Sequence, residues 1–150
     1  MRRFANLRRE DGQALVEFAL VLPILLMIAT AITSFGLVFY RYITLTDSVR
    51  AAARTLSLGR GNTSPAPNDP CTMAVNEAVN SAIDAKLTAS NVHLIINGTL
   101  TTQPCSGTGT NWTQGNQVTV TASVPYSLDI FGVITVKSGT LTAQATDAIE

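Results

Sequence analysis

Glu17 is the only charged side chain between Gly12 and Tyr40, in a stretch that is otherwise mostly apolar. A carboxylate within a membrane-length helix costs about 2.5–3.5 kcal/mol on insertion scales, so we expect it to have a positively charged partner. If the peptide bond between Gly12 and Gln13 were cut, the new α-ammonium group of Gln13 would lie one helical turn from the Glu17 carboxylate. The spacing therefore predicts a charge pair created by proteolysis, within one chain or between neighbouring subunits.

The residues after Glu17 predict one long helix with two different surfaces. From Phe18 to Tyr40 the chain carries no charge, and this run exceeds the roughly 20 residues that a membrane-spanning helix needs. We expect the helix to run from Ala14 to about Leu58, with Pro23 producing a kink or a locally loosened turn, although membrane helices tolerate proline. The second half is amphipathic. One face holds Tyr42, Leu45, Val49, Ala52, Ala53 and Leu56, and the other faces hold Arg41, Thr44, Asp47, Ser48 and Arg54.

The charges around the apolar stretch do not by themselves set its orientation. Four arginines precede it and four follow within residues 41–60, about the range over which the positive-inside rule counts. Two features favour a cytoplasmic N-terminus: the leader is short and basic, and the two cysteines, Cys71 and Cys105, lie in the C-terminal part. An even pair of cysteines suits an oxidising compartment, so we expect the C-terminal domain in the periplasm or outside the cell.

The remainder of the chain predicts a small α+β domain. Of the 150 residues, roughly 90 lie beyond the long helix, enough for one modest core. Residues 59–68 are rich in turn-forming residues and predict a loop; Asp69 is then the expected N-cap of a second helix that runs from Pro70 to about Lys86. Three segments have strand patterns, and residues 99–116 between the first two predict a long surface loop. We expect an antiparallel sheet of three to four strands packed on the long helix, with strands at residues 92–96, 117–124 and 140–146.

Cys71 and Cys105 are predicted to form a disulfide that ties the long loop to the start of the second helix. Such a bond would stabilise the domain by roughly 3–4 kcal/mol on the chain-entropy model. A redox or metal site is disfavoured, because there is no Cys-x-x-Cys spacing and the single histidine, His93, falls in a predicted strand. Trp112, on the loop, is equally compatible with a contact residue and a loop anchor.

The same inventory of residues argues against an enzyme. The sequence contains no nucleophile elbow, phosphate-binding glycine loop or paired-carboxylate pattern, so we expect no catalytic residue, no metal and no cofactor. Ten basic residues balance ten acidic ones, which gives no reason to expect a nucleic-acid partner.

The run from Gly12 to Leu26, followed by Phe35-Gly36 and by Arg50-Ala-Ala-Ala-Arg54, resembles the TadE-like minor pilins, or pseudopilins, of the tight-adherence (Flp) pilus system, which is related to type IV pili. The resemblance is specific over residues 12–58 and implies a pilin-like fold. It implies cleavage between Gly12 and Gln13 by a prepilin peptidase on the cytoplasmic side of the inner membrane. Glu17 and Phe18 then match the glutamate and aromatic residue that follow the cut. The chain departs from the family at Ala52, where a glycine is usual.

These expectations divide the chain into a basic leader (residues 1–12), a long transmembrane and amphipathic helix (13–58) and an extracytoplasmic domain (59–150). The function expected is assembly or priming of an adhesive pilus, with the peptidase, other pilin subunits, assembly-platform proteins and membrane lipid as partners. Two alternatives stay open. The chain could be an uncleaved single-span membrane protein with a binding domain, or a secreted binding protein cut after Ala31. The mature protein would begin at Gln13 if it is a processed pilin, at Met1 if it is uncleaved, and at Ile32 if it is secreted.

Overall fold

The computed structural model of the chain describes residues 7–130 and 134–150, with side chains at 12–129 and 135–150. Residues 1–6 of the predicted leader therefore lie outside the described residues, and residues 7–11 are described by their backbone alone. The chain forms two compact units: the first comprises the described parts of Met1–Leu37 and Ser127–Lys137, and the second comprises Val38–Tyr126 and Ser138–Glu150. The fold is α+β, as predicted. Its main elements are α1 (Leu7–Ser57), α2 (Pro70–Ser81), β1 (Val92–Ile96), β2 (Thr99–Thr101), β3 (Gln117–Ile130) and β4 (Ile134–Ala148).

Helix α1 begins at Leu7, seven residues before the predicted start at Ala14, and ends at Ser57. The earlier start has a simple cause, because the arginines and the glutamate before Gly12 are good helix formers. The helix is continuous through Pro23. Gly59 follows the helix, and its amide donates a hydrogen bond to the Leu56 carbonyl at 3.0 Å.

The core of the second unit forms where the second half of α1 meets the sheet. Leu45, Val49 and Leu56 are fully buried and share one apolar cluster with the inward-facing valines of β3, Val118 and Val120. The predicted apolar face is thus confirmed, with two corrections. Tyr42 is 42% exposed because it precedes the first core position, and Ser48 is buried rather than on an outer face. The Ser48 hydroxyl tolerates burial because it donates to the Leu45 carbonyl at 2.8 Å.

Helix α2 starts as predicted but ends earlier. The Asp69 side chain caps it by accepting a hydrogen bond from the Thr72 amide, and Pro70 occupies the first helical position. It ends at Ser81 rather than near Lys86 because the chain tightens at Ala82, whose amide donates to two carbonyls. A short 3₁₀ turn follows, and Lys86 then adopts left-handed backbone angles (φ 55°) that no helix can continue.

The sheet is antiparallel with the strand order β2-β1-β3-β4. Strand β1 has the predicted bounds, whereas β2 lies in the segment predicted as a surface loop, so that prediction is wrong for Thr99–Thr101. The signal for β2 is the Asn97-Gly98 pair, which has positive φ values of 49° and 75° and forms a two-residue hairpin turn between Ile96 and Thr99.

Strands β3 and β4 are both longer than predicted, and Pro125 explains the error in β3. A proline is excluded from the interior of a sheet but accepted where a strand lacks a neighbour on one side. The pairing of β1 with β3 ends at Val92 and Ala122, so Pro125 lies beyond the reach of β1. Beyond this point β3 and β4 continue as a two-stranded hairpin, in which β3 ends at Ile130 and β4 begins at Ile134.

Candidate functional site

The described side chains of the predicted processing segment, residues 12–18, lie on α1 and are exposed. Gln13, Glu17 and Phe18 are exposed, with Phe18 at 64%. Gln13 and Glu17 are four residues apart in one helix, so they occupy the same face. A methyl group added at Gly12 would meet no atom within 4 Å among the described residues. The bond after Gly12 is therefore open to a protease that can reach the helix.

The apolar part of α1 is long enough to cross a membrane. Gly12–Ser57 contains a window of mean hydropathy 2.5, none of which is buried within the protein. A continuous apolar surface of this length marks contact with a membrane or with other proteins. The hydroxyl groups inside it are satisfied internally, as a lipid environment requires: Thr33 donates to the Ala29 carbonyl at 2.9 Å and Thr30 to the Met27 carbonyl at 3.2 Å. Pro23 is in the same stretch, and the kink expected there stays a prediction.

Ser34 has a different role from the threonines and was not singled out by the sequence analysis. Its hydroxyl donates to the backbone carbonyl of Asp129, at the end of β3, at 2.9 Å. The Asp129 carboxylate in turn accepts hydrogen bonds from the hydroxyls of Ser127 (3.0 Å) and Thr135 (2.8 Å). The only sequence signal was a serine in an apolar helix, which is too common to identify a contact this distant in the chain.

A second cluster connects α2 to the loop after β2. Cys71 and Cys105 form the predicted disulfide, with Cα atoms 5.6 Å apart. Asp69, only 1% exposed, uses one carboxylate oxygen to accept from the Thr72 amide at 3.1 Å and from the Cys105 amide at 2.9 Å. One oxygen therefore caps the helix and positions the second cysteine.

Two glycines complete this junction. The amide of Gly61 donates to the Gly107 carbonyl, and the amide of Gly107 donates to the Asn62 carbonyl, both at 2.8 Å. A side chain at Gly107 would overlap the Gly59 carbonyl oxygen, so only glycine allows the approach. The loop that holds Cys105 is thus bound directly to the segment that follows α1.

The remaining residues that could do chemistry are the disulfide cysteines with Asp69, and His93 and Trp112. Among the described residues, Asp69, Cys71 and Cys105 form the only group close enough to hold a metal ion. Both sulfur atoms are in the disulfide and offer no thiolate, so this group does not fit a metal site. His93 is exposed on β1. Trp112 is 6% exposed and belongs to the core, which identifies it as a loop anchor rather than a contact residue.

Residues 12–54 match the family model described as TadE-like protein. The chain is TadE-like over this segment. The match begins at Gly12 and covers α1 to Arg54, which confirms over this segment the resemblance seen in the sequence. No curated protein and no solved structure matches the chain.

Replacing Asp69 should lower stability in a pH-dependent way. Burial alone would raise the pKa of Asp69, but hydrogen bonds from Thr72 and Cys105 outweigh it and hold the pKa below the ordinary value of 3.8. The ionised carboxylate therefore contributes stability above that value, and the contribution is lost as the pH falls through the lowered pKa. We expect Asp69→Ala to cost about 1–2 kcal/mol near pH 7 and distinctly less near pH 2.

The measurement is urea unfolding of the full chain in detergent, followed by the fluorescence of the buried Trp112. Asp47→Ala is the control, because Asp47 is an exposed residue whose ion pair with Arg50 spans 3.6 Å. Its loss should change stability by less than about 0.5 kcal/mol at either pH. Equal effects of the two substitutions would contradict the role given to Asp69.

Gly107→Ala should destabilise the same junction by about 1–3 kcal/mol, because the methyl group forces the two backbone segments apart. The neighbouring exposed Ser106 provides the control, and Ser106→Ala should be nearly neutral. Unfolding midpoints of the two variants, measured side by side, check this expectation. Indistinguishable midpoints would mean that the close approach at Gly107 contributes nothing.

Proposed function

We propose that the chain is a minor pilin, or pseudopilin, of the tight-adherence pilus that is cut between Gly12 and Gln13 by a prepilin peptidase. Its work is assembly or priming of an adhesive pilus, not catalysis. The observation that supports this most directly is the family match, which starts at Gly12, the residue before the proposed cut. The exposure of Gln13 and Glu17 on α1 is the second support, because a peptidase must reach this segment.

The proposed cut explains why a carboxylate is tolerated at position 17. Cleavage creates an α-ammonium group on Gln13, about 6 Å along the helix axis from Glu17. The pair neutralises a charge that would be costly in lipid. The same carboxylate can accept the amine of a neighbouring subunit, so Glu17 is suited to hold two pilin helices in register.

Cleavage also changes how firmly the helix is held in the membrane. The leader contains four arginines, which anchor an N-terminus at the cytoplasmic surface, and the cut removes all of them. In the remaining helix, Glu17 is the single charged side chain between Gln13 and Tyr40. This part of the helix can therefore move from lipid into a bundle of similar helices.

The proposed topology is a single pass through the bacterial inner membrane, with the N-terminus in the cytoplasm and the C-terminal domain in the periplasm or outside the cell. The disulfide between Cys71 and Cys105 supports this placement, because such bonds persist in oxidising compartments. The partners proposed are the prepilin peptidase, other pilin subunits, proteins of the assembly platform and membrane lipid.

Gly12→Ala should reduce processing roughly ten-fold or more, because a methyl group is excluded from a site fitted to glycine. The structure offers a matched control in the same helix. At both Gly12 and Gly36 an added methyl group meets no atom within 4 Å, so neither substitution should disturb the fold. Gly36→Ala should therefore be processed normally.

The measurement is N-terminal sequencing and intact mass of the protein from membranes and from assembled pili. A start at Gln13 in the unaltered chain, together with accumulation of uncut Gly12→Ala in the membrane, is the expected result. A full-length chain in assembled pili would overturn the proposal and favour an uncleaved membrane protein. A start at Ile32 would identify a secretory signal cut after Ala31.

A further inference from the structure

The end of the β3–β4 hairpin lies against the apolar helix within the first unit. We call Ser127–Asp129 and Thr135–Lys137 the hairpin tip. Ser34 of α1 is hydrogen bonded to the Asp129 carbonyl. Beside this bond is an open, almost entirely apolar groove lined by residues from both elements: Ala31, Ser34, Phe35, Leu128, Asp129 and Val136.

The hairpin tip lies where the membrane span ends. A span needs about 20 residues, so a helix that enters the hydrocarbon layer between Ala14 and Phe18 leaves it between about residues 33 and 37. The groove is built on Ala31, Ser34 and Phe35, which occupy the last turns of such a span. On the proposed span, the hairpin tip would lie at the boundary between acyl chains and headgroups, on the side that α1 leaves.

The surface of the hairpin tip suits this boundary. Val136 is 60% exposed, and the groove beside it is almost entirely apolar. The Asp129 carboxylate is occupied by two hydroxyl donors, which lowers the cost of placing it near lipid. Lys137 is exposed next to Val136, and a lysine can extend its ammonium group to lipid phosphates while its methylene groups stay in an apolar layer.

The hairpin itself needs such support. Strand β1 pairs with residues 118–122 of β3, so none of the other described strands pairs with the hairpin tip. A two-stranded hairpin is marginally stable in water unless an apolar face is covered. The contact with α1 at Ser34 covers part of the hairpin tip and leaves Val136 exposed.

We propose that the hairpin tip is a second membrane contact: the groove and Val136 are filled by acyl chains of the adjoining leaflet, and Lys137 lies at its phosphates. This inference rests on the proposed function in one respect, namely that α1 spans a membrane. The protein then touches the bilayer at two places, and the hairpin fixes the depth at which the helix leaves it.

Fluorescence quenching by brominated lipid tests the contact. Trp112→Phe provides a background without tryptophan, and single tryptophans are placed at Val136, Ile28 and Leu100. Ile28, 56% exposed, reports on the span itself. Leu100, 64% exposed, is the matched control, because it lines a groove formed without any residue of α1. The full chain is reconstituted into phosphatidylcholine and phosphatidylglycerol vesicles with bromine atoms midway along one acyl chain.

We expect brominated lipid to reduce the emission of Val136→Trp and Ile28→Trp by about half or more, as for rings among acyl chains, and to leave Leu100→Trp unchanged. Quenching of Ile28→Trp without quenching of Val136→Trp overturns the second contact and leaves the span intact. If neither Ile28→Trp nor Val136→Trp is quenched, both the membrane span and the second contact are overturned. Equal quenching at Leu100 and Val136 also overturns the inference, because the contact would not be specific to the hairpin tip.

The measurement does not depend on the background substitution. If Trp112→Phe unfolds the domain, the same variants are made with Trp112 in place. This side chain is 6% exposed and belongs to the core, so it adds a constant signal that the lipid does not quench.

Discussion

The two halves of α1 have different surfaces and need different surroundings, and the rest of the structure depends on that constraint. From Phe18 to Tyr40, α1 carries no charge on any side, and its most apolar window is not buried within the protein. After Arg41 only one face is apolar, and that face is buried by the sheet. A helix with a single buried face cannot be stable by itself in water, so its second half requires a folded domain. The C-terminal domain exists in part to cover Leu45, Val49 and Leu56.

A second set of links joins the segment directly after α1 to the rest of the domain. The segment from Gly59 to Asn62 exchanges backbone hydrogen bonds with Gly107, and the Cys105 loop is bonded to α2 through the disulfide and Asp69. This junction lets a domain with a modest core hold the end of a helix of 51 residues. Such cross-links matter most where burial alone supplies little stability.

Much of this architecture could be predicted because the relevant signals are local. Hydrophobic periodicity located the buried face of α1, Asp69 and Pro70 located the start of α2, and the even pair of cysteines predicted the disulfide. The Asn97-Gly98 turn was also a local signal for β2, but the surrounding polar sequence obscured it. The end of α2 was predicted too late because apolar periodicity continues after Ser81, although the backbone there changes to a tighter turn.

Other features could not be predicted because they depend on partners distant in the chain. The extension of β3 past Pro125 depends on where β1 stops, and the hydrogen bond of Ser34 depends on the hairpin reaching residue 129. The Asp69 oxygen is similar: its local capping role was expected, whereas its bond to Cys105, 36 residues away, was not. Non-local contacts of this kind follow from topology rather than from residue pattern.

The shared oxygen of Asp69 has a thermodynamic consequence for the disulfide. Asp69 precedes Cys71 by two residues and binds the amide of Cys105, so a hydrogen bond holds the ends of the loop together independently of the covalent bond. The two constraints restrict the same segment of chain, and their contributions to stability are therefore not additive. When either the disulfide or the Asp69 hydrogen bond is removed, the other still restricts the loop. Removing both therefore changes the free energy of unfolding by an amount that differs from the sum of the two single changes.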